Sequence, residues 1–234
     1  MTRLAAVLVR AAALTQAAVW LAVLLAGPAT AQEFVATNTR LSDEDFYRLV
    51  SCGAPPAGDC QKDIVRWSPK AARNVTLGIV QIADSYPADL LAKIDAALDR
   101  AIGEVNGAGA GLRLSRSEQA TVPDIGLHLL SIVEGDEITG TDLYPLDGAR
   151  IEAAKAQLWW RANRSLIKGA IVFGRDIDPD EIASIMLEEV TQTMGLLTDV
   201  GGSYYESRSI FSETSNRLTQ LGRQDVMALR RHYP

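Results

Sequence analysis

The sequence predicts an α+β domain with a mixed, twisted sheet, and three observations predict it. Residues 74–82 are rich in β-branched side chains with partial alternation, and apolar residues then recur at helical spacing from Pro87, so a strand feeds straight into a long helix. Residues 156–162 and 167–173 flank the turn-forming Asn163-Arg164-Ser165 and form a hairpin. Two further helices, over residues 178–194 and 223–232, close the chain, and no internal repeat or low-complexity block interrupts it.

The first segment is a targeting signal. Arg3 and Arg10 precede an apolar run over residues 11–27, broken only by Thr15 and Gln16, and small Ala29 and Ala31 then stand before polar Gln32-Glu33. The run is brief for a membrane span, and the Ala-x-Ala pattern is that of a signal-peptide cleavage site. Residues 1–31 are therefore expected to be a signal peptide, cut after Ala31, leaving a periplasmic or secreted protein with no stable membrane anchor. An uncleaved anchor is the alternative. No Cys follows the run to accept a lipid. Removing Arg3 and Arg10, with no acid in the segment, takes the formal charge from −6 to −8. That balance argues against nucleic acid as a partner, because polyanions reward clustered Lys and Arg.

Residues 32–40 have the composition of a flexible leader, and Leu41-Ser42-Asp43-Glu44-Asp45-Phe46 is a capped helix start. Both cysteines of the chain, Cys52 and Cys60, flank a spacer of Gly, Pro, Ala and Asp that turns tightly. In an oxidising compartment they are expected to form a disulfide worth roughly 2–3 kcal/mol. A catalytic thiol or a metal site lacks a nearby His or third Cys. Residues 32–73 thus form an N-terminal segment ahead of an α+β domain over residues 74–234.

Within that domain Leu90, Ile94, Leu98, Ala101 and Val105 mark the buried stripe of the long helix, and the glycines after residue 106 end it. Residues 112–116 and 124–132 are the next strands. Residues 135–148 have surface-loop composition suited to the rim of a cleft. In the hairpin, Trp159-Trp160 either pack at the sheet edge or line a groove, and residues 149–155 either belong to the strand or prolong a helix. Asp178-Pro179-Asp180-Glu181 opens the next helix, with Asp178 as cap.

That helix carries the functional signal. Ile182, Ile185, Met186, Val190 and Met194 share an apolar arc, and Glu189 falls in its middle. A carboxyl among core-facing residues costs several kcal/mol, on the order of 2–7, unless it is paired, bonded or protonated. Glu188 and Gln192 sit four apart at the border of the arc, where side chains on successive turns converge. The plain reading is a structural Glu bonded inside the core; the other is a site.

The run from Glu188 to Asp199 resembles the zinc-protease motif of the metzincins, H-E-x-x-H-x-x-G-x-x-H, with Glu189 at the general base and Gly195 at the sharp turn. The zinc ligands are replaced by Glu188, Gln192 and Thr198. Downstream, Ser209-Ile210-Phe211 resembles the Met-turn with Phe211 in place of methionine, and residues 221–233 resemble the closing helix. The whole chain after residue 31 also resembles the bacterial domain of unknown function 2927 family, through residues 49–54, 60–67, Glu188-Glu189, Gln192, Gly195-Leu196, Asp199 and the last helix. That resemblance implies export and a metzincin-like fold, without an established activity.

Zinc is not expected, since only His128 and His232 are present. His128 has the pattern of a sheet residue, and His232 sits where an imidazolium complements a helix end. Three functions stay open. The first is a non-catalytic relative whose cleft binds a peptide or cell-envelope protein, and the missing ligands favour it. The second is a hydrolase using Glu188, Glu189 and Asp199 as acid/base groups or as oxygen ligands of a hard cation. The third is a scaffold with a structural Glu network.

Overall fold

The computed structural model describes residues 34–117 and 121–234; the expected signal peptide, its cleavage point after Ala31 and residues 32–33 lie outside the described residues. In chain order come β1 (Phe34–Ala36), α1 (Asp43–Cys52), β2 (Arg66–Trp67), a 3-10 turn (Ala71–Arg73), β3 (Val75–Ile82), α2 (Ala88–Gly107), β4 (Leu114–Arg116) and β5 (Ile125–Leu129). The hairpin of β6 (Ala154–Trp160) and β7 (Ser165–Phe173) follows, then α3 (Ile182–Gln192), β8 (Asp199–Gly201) and α4 (Arg223–His232). Among the described residues the architecture is mixed, with four α-helices and a mostly parallel sheet.

Local chemistry accounts for the element ends. The Ser42 hydroxyl accepts the Asp45 N–H at 3.0 Å, three acids occupy the first turn of α1, and Gly53 closes it at φ +68. Pro87 opens α2, whose Leu90, Ile94, Leu98, Ala101 and Val105 are buried as the spacing predicts. The Cys52–Cys60 disulfide is formed, with Cα atoms 5.1 Å apart. Among the described residues no helix is long and apolar enough to cross a membrane.

Strands β4, β3, β5 and β7 run parallel in that order, and β6 adds antiparallel to β7 as the edge. Alternation along β7 sorts the two faces: Ile171 and Phe173 enter the main core, whereas Ala170 and Val172 join a smaller cluster with Leu130, Ile138, Leu146 and Ile151. Helices α2 and α3 pack on each other, as do α1 and α4. Phe46, Leu49, Val50 and Trp67 share the main core with residues of the later strands and helices, so the segment before residue 74 is built into the same core.

Three expectations change, and one open alternative is resolved. Residues 34–36 are a strand, not a leader, because β1 pairs in parallel with β8, placing Phe34 opposite Asp199. The third helix starts at Ile182: Asp178 Oδ1 accepts the Asp180 N–H at 2.9 Å and caps only a preceding turn. Residues from Ala154 on are strand, since β7 offers them a partner that a helix would leave unpaired. The 135–148 loop covers the smaller cluster through Ile138 and Leu146. None of its residues lines the acidic cleft described below.

Candidate functional site

Helix α3 ends against three unrelated parts of the chain. Trp67 Nε1 donates to the Thr193 carbonyl at 3.1 Å, the Tyr233 hydroxyl to Met194 at 2.6 Å, and Lys62 Nζ to Leu197 at 2.8 Å. The first two bonds satisfy carbonyls just past the helix end, and the third holds the chain that leaves it. Gly195 makes the turn at φ +96, and a Cβ there would lie 2.0 Å from the Val65 carbonyl oxygen. Only glycine meets both demands. The chain then enters β8, which is held on one side by β1 and on the other by the Val200 N–H bonding Phe211 O at 2.7 Å.

These constraints bring α3, β8 and residues 212–216 around a cleft of about 230 Å³, closed opposite by residues 152–156 at the start of β6. Glu188, Glu189, Gln192 and Asp199 all line it. Thr198, the remaining sequence candidate, does not: its hydroxyl lies 3.6 Å from where a Gly53 Cβ would stand, facing the end of α1. Glu213 and Glu152 stand exposed among the lining residues, while Glu189 is buried.

Gln192 Nε2 donates to Asp199 Oδ1 at 3.0 Å. Glu188 and Asp199 are hydrogen-bonded carboxyls, an arrangement that requires a proton between them. Burial, the neighbouring charges of Asp199, Glu189 and Glu213, and that bond together push Glu188 well above the ordinary carboxyl range. Burial first, then Asp199, raises Glu189 to about 8, against the opposing pull of Lys155 and of the Ala156 N–H that its carboxyl accepts. Glu189 Oε2 and the Ser212 hydroxyl are buried without a hydrogen-bond partner. Such groups carry a cost that a ligand can relieve.

The zinc positions do not fit zinc. Glu188, Gln192 and Thr198 offer a carboxyl, an amide engaged by Asp199 and a hydroxyl turned toward Gly53. Among the described residues no three His, Cys, Asp or Glu side chains are placed to hold one metal ion.

Both histidines serve the fold. His128 Nδ1 meets Gln81 Oε1 at 2.7 Å within the sheet, as its pattern predicts. His232 is a correction to the helix-end cation: it is fully buried, with Nε2 donating to the Val65 carbonyl at 2.9 Å and Nδ1 accepting from Tyr47 at 3.3 Å. Burial lowers it to about 4, so the imidazole is neutral near pH 7. Phe211 packs in the core near Phe46, and the adjacent Ser212 supplies the cleft wall. Trp159 donates to the Tyr144 carbonyl at 2.9 Å, and neither Trp159 nor Trp160 lines the cleft.

Ser212, Glu213, Glu152 and Lys155 line the cleft without any motif or periodicity that marks them. The sequence also hid Asp225, which accepts from Ser209 Oγ at 2.6 Å, the Ile210 N–H at 3.0 Å and the Gly222 N–H at 2.7 Å, and so fixes the turn ahead of Ser212. Compared with models of known protein families and with characterised proteins, the sequence matches none of them.

Proposed function

We propose that the chain is an exported binding protein built on the frame of a zinc protease without its zinc ligands, and that the cleft receives an extended peptide segment of a cell-envelope partner. The observation that carries this reading is the position of β6. It is an edge strand, bonded to β7 on one side, and its first residues form the cleft wall opposite Glu188 and Glu189. An edge strand beside a groove offers a peptide main-chain hydrogen bonds, with the groove left to select side chains. The disulfide and the export-type first segment agree with a periplasmic or secreted setting. Amide chemical shifts recorded while a mixed pool of extended peptides is added test the idea. Shifts concentrated at residues 153–156 and 188–199 are expected; a response elsewhere, or none, would sink it.

One observation favours a second reading. The proton shared by Glu188 and Asp199, with Glu189 alongside, is a pairing that acid/base hydrolysis can use, one carboxylate activating water while a carboxylic acid protonates the leaving group. Cleavage products in the same peptide pool, lost in both Glu188→Gln and Glu189→Gln, would establish it.

A further inference from the structure

The cleft is lined by five carboxyl groups, Glu152, Glu188, Glu189, Asp199 and Glu213, against the one cation of Lys155. An acidic wall alone says little, because carboxyls crowd many solvated surfaces. Here a second observation points to a ligand. Glu189 Oε2 and Ser212 Oγ, on two different elements, are buried without partners. Glu189 is 8% exposed and Ser212 2%, and both belong to the cleft wall. A buried carboxyl oxygen left without a donor costs about 1–3 kcal/mol or more, and a hydroxyl adds to that. A donor-rich cation entering the cleft removes the cost.

We propose that the cleft receives the basic side chain of a peptide, arginine in preference to lysine, with its N–H groups bonded to Glu189 and Ser212 and its charge balanced by Glu188, Asp199 and Glu213. This deepens the peptide-binding reading and rests on it. The acceptors come from α3, β8 and residues 212–213, three separate parts of the chain. A guanidinium presents five N–H donors in a planar fork and can reach separated acceptors, whereas an ammonium concentrates its charge at one atom. The space, about 230 Å³, far exceeds the roughly 10–15 Å³ that a single water requires, which leaves room for a guanidinium and part of its stem.

Proton balance adds a signature. In the free cleft the Glu189 carboxyl, raised to about 8, holds its proton at neutral pH, under the influence of Asp199, Lys155, Glu152 and the Ala156 N–H. Glu188 is raised as well, by burial first and then by Asp199, Glu189 and Glu213. An arriving cation favours the ionised carboxylates and expels protons, so affinity rises with pH.

Isothermal titration of the protein, purified as its host processes it, tests this with four blocked pentapeptides bearing central arginine, lysine, citrulline or norleucine among alanines, and with butylguanidinium. The arginine peptide is expected to bind at least tenfold tighter than the citrulline peptide at pH 8, to tighten between pH 6 and 8.5, and to release protons into the buffer. Glu189→Gln should abolish the discrimination, and Asp199→Asn should reduce it. Equal affinity for arginine and citrulline, or discrimination that survives in Glu189→Gln, overturns the proposal while peptide binding stands. Butylguanidinium binding without peptide binding supports the cation pocket and overturns the peptide reading. No binding of any probe overturns both.

Discussion

Gln192 Nε2 lies 3.0 Å from Asp199 Oδ1 and donates a proton to it, tying the last turn of α3 to the first residue of β8 across the cleft. Because the amide can only donate through that nitrogen, Asp199 is the acceptor there, with Glu188 as its other bonded neighbour. One neutral side chain thus orders a pair of acids that would otherwise repel.

Removing that donor should loosen the floor of the cleft. Gln192→Ala is expected to cost about 1–2 kcal/mol in urea unfolding at pH 7, the range for a hydrogen bond to a charged group that is not fully buried. Gln192→Glu sets a further acid against Asp199 and should be worse at pH 8 than at pH 5, since protonation restores a donor. A Gln192→Glu variant with the same urea midpoint at both pH values would show that the two side chains do not meet in solution.

Glu189 predicts the alkaline limb of stability. Its folded value of about 8 lies above the ordinary 4.5, so the native state holds more protons than the unfolded chain between those values. Stability from this group is complete below about pH 4.5 and is lost as pH rises through 8; the span corresponds to about 5 kcal/mol. Asp199 and Glu152 face it with negative charge and Lys155 with positive, while Glu188 beside it is itself raised by burial. Glu189→Gln should flatten the limb and be more stable than the parent at pH 8.5. A parallel profile for parent and variant would contradict the burial of this carboxyl.

The parts of this arrangement that could be read in the sequence are those set by short-range chemistry. The stripe of α2, the Ser42 cap, the Asn163-Arg164-Ser165 turn and the convergence of Glu188, Glu189 and Gln192 all follow from periodicity or local bonding. What stayed hidden depends on partners far along the chain. Three residues from Phe34 become a strand only because β8 presents an edge to them. Asp225 looks like a helix-start acid in sequence, and it does accept the Gly222 N–H, yet its bonds to Ser209 and Ile210 span 16 and 15 residues. Thr198 shows the reverse failure, since motif spacing assigns it to the site while the turn at Gly195 and the Val50–Thr198 backbone bond direct it to α1.

Gly195 should be the least replaceable residue near the cleft. Gly195→Ala forces a Cβ to within 2.0 Å of the Val65 carbonyl oxygen while holding φ at +96, a combination expected to cost more than about 3 kcal/mol. Low yield or a urea midpoint far below the parent is the expected outcome. Gly103, in the middle of α2 with open space around its Cβ position, is the control: Gly103→Ala should stabilise by about 0.5–1 kcal/mol.

Asp225 joins the final helix to the 209–211 turn, and Asp225→Ala leaves a hydroxyl and two backbone N–H groups without their acceptor. With the residue fully buried, the loss should be about 3–5 kcal/mol by chemical denaturation. Amide shifts of Ser212 and Glu213 should move as well, because the turn that places them is no longer fixed. Unchanged shifts at those two positions would mean that the cleft wall is set by β8 alone.

His232 sets the acid limb, with the opposite sign to Glu189. Its folded value, lowered to about 4 by burial and by Arg66, lies below the ordinary 6.5, so the unfolded chain binds more protons between these values. Stability from the neutral imidazole is present above about pH 6.5 and is lost as pH falls through 4, a span of about 3 kcal/mol. Protonation would also convert the Nδ1 acceptor of the Tyr47 hydroxyl into a donor. His232→Gln, which cannot titrate, should lower stability at pH 7 by loss of the Val65 or Tyr47 bond and yet fall less steeply between pH 6.5 and 4. If parent and variant lost stability in parallel over that interval, the acid limb would belong to other groups and the buried neutral form of His232 would be wrong.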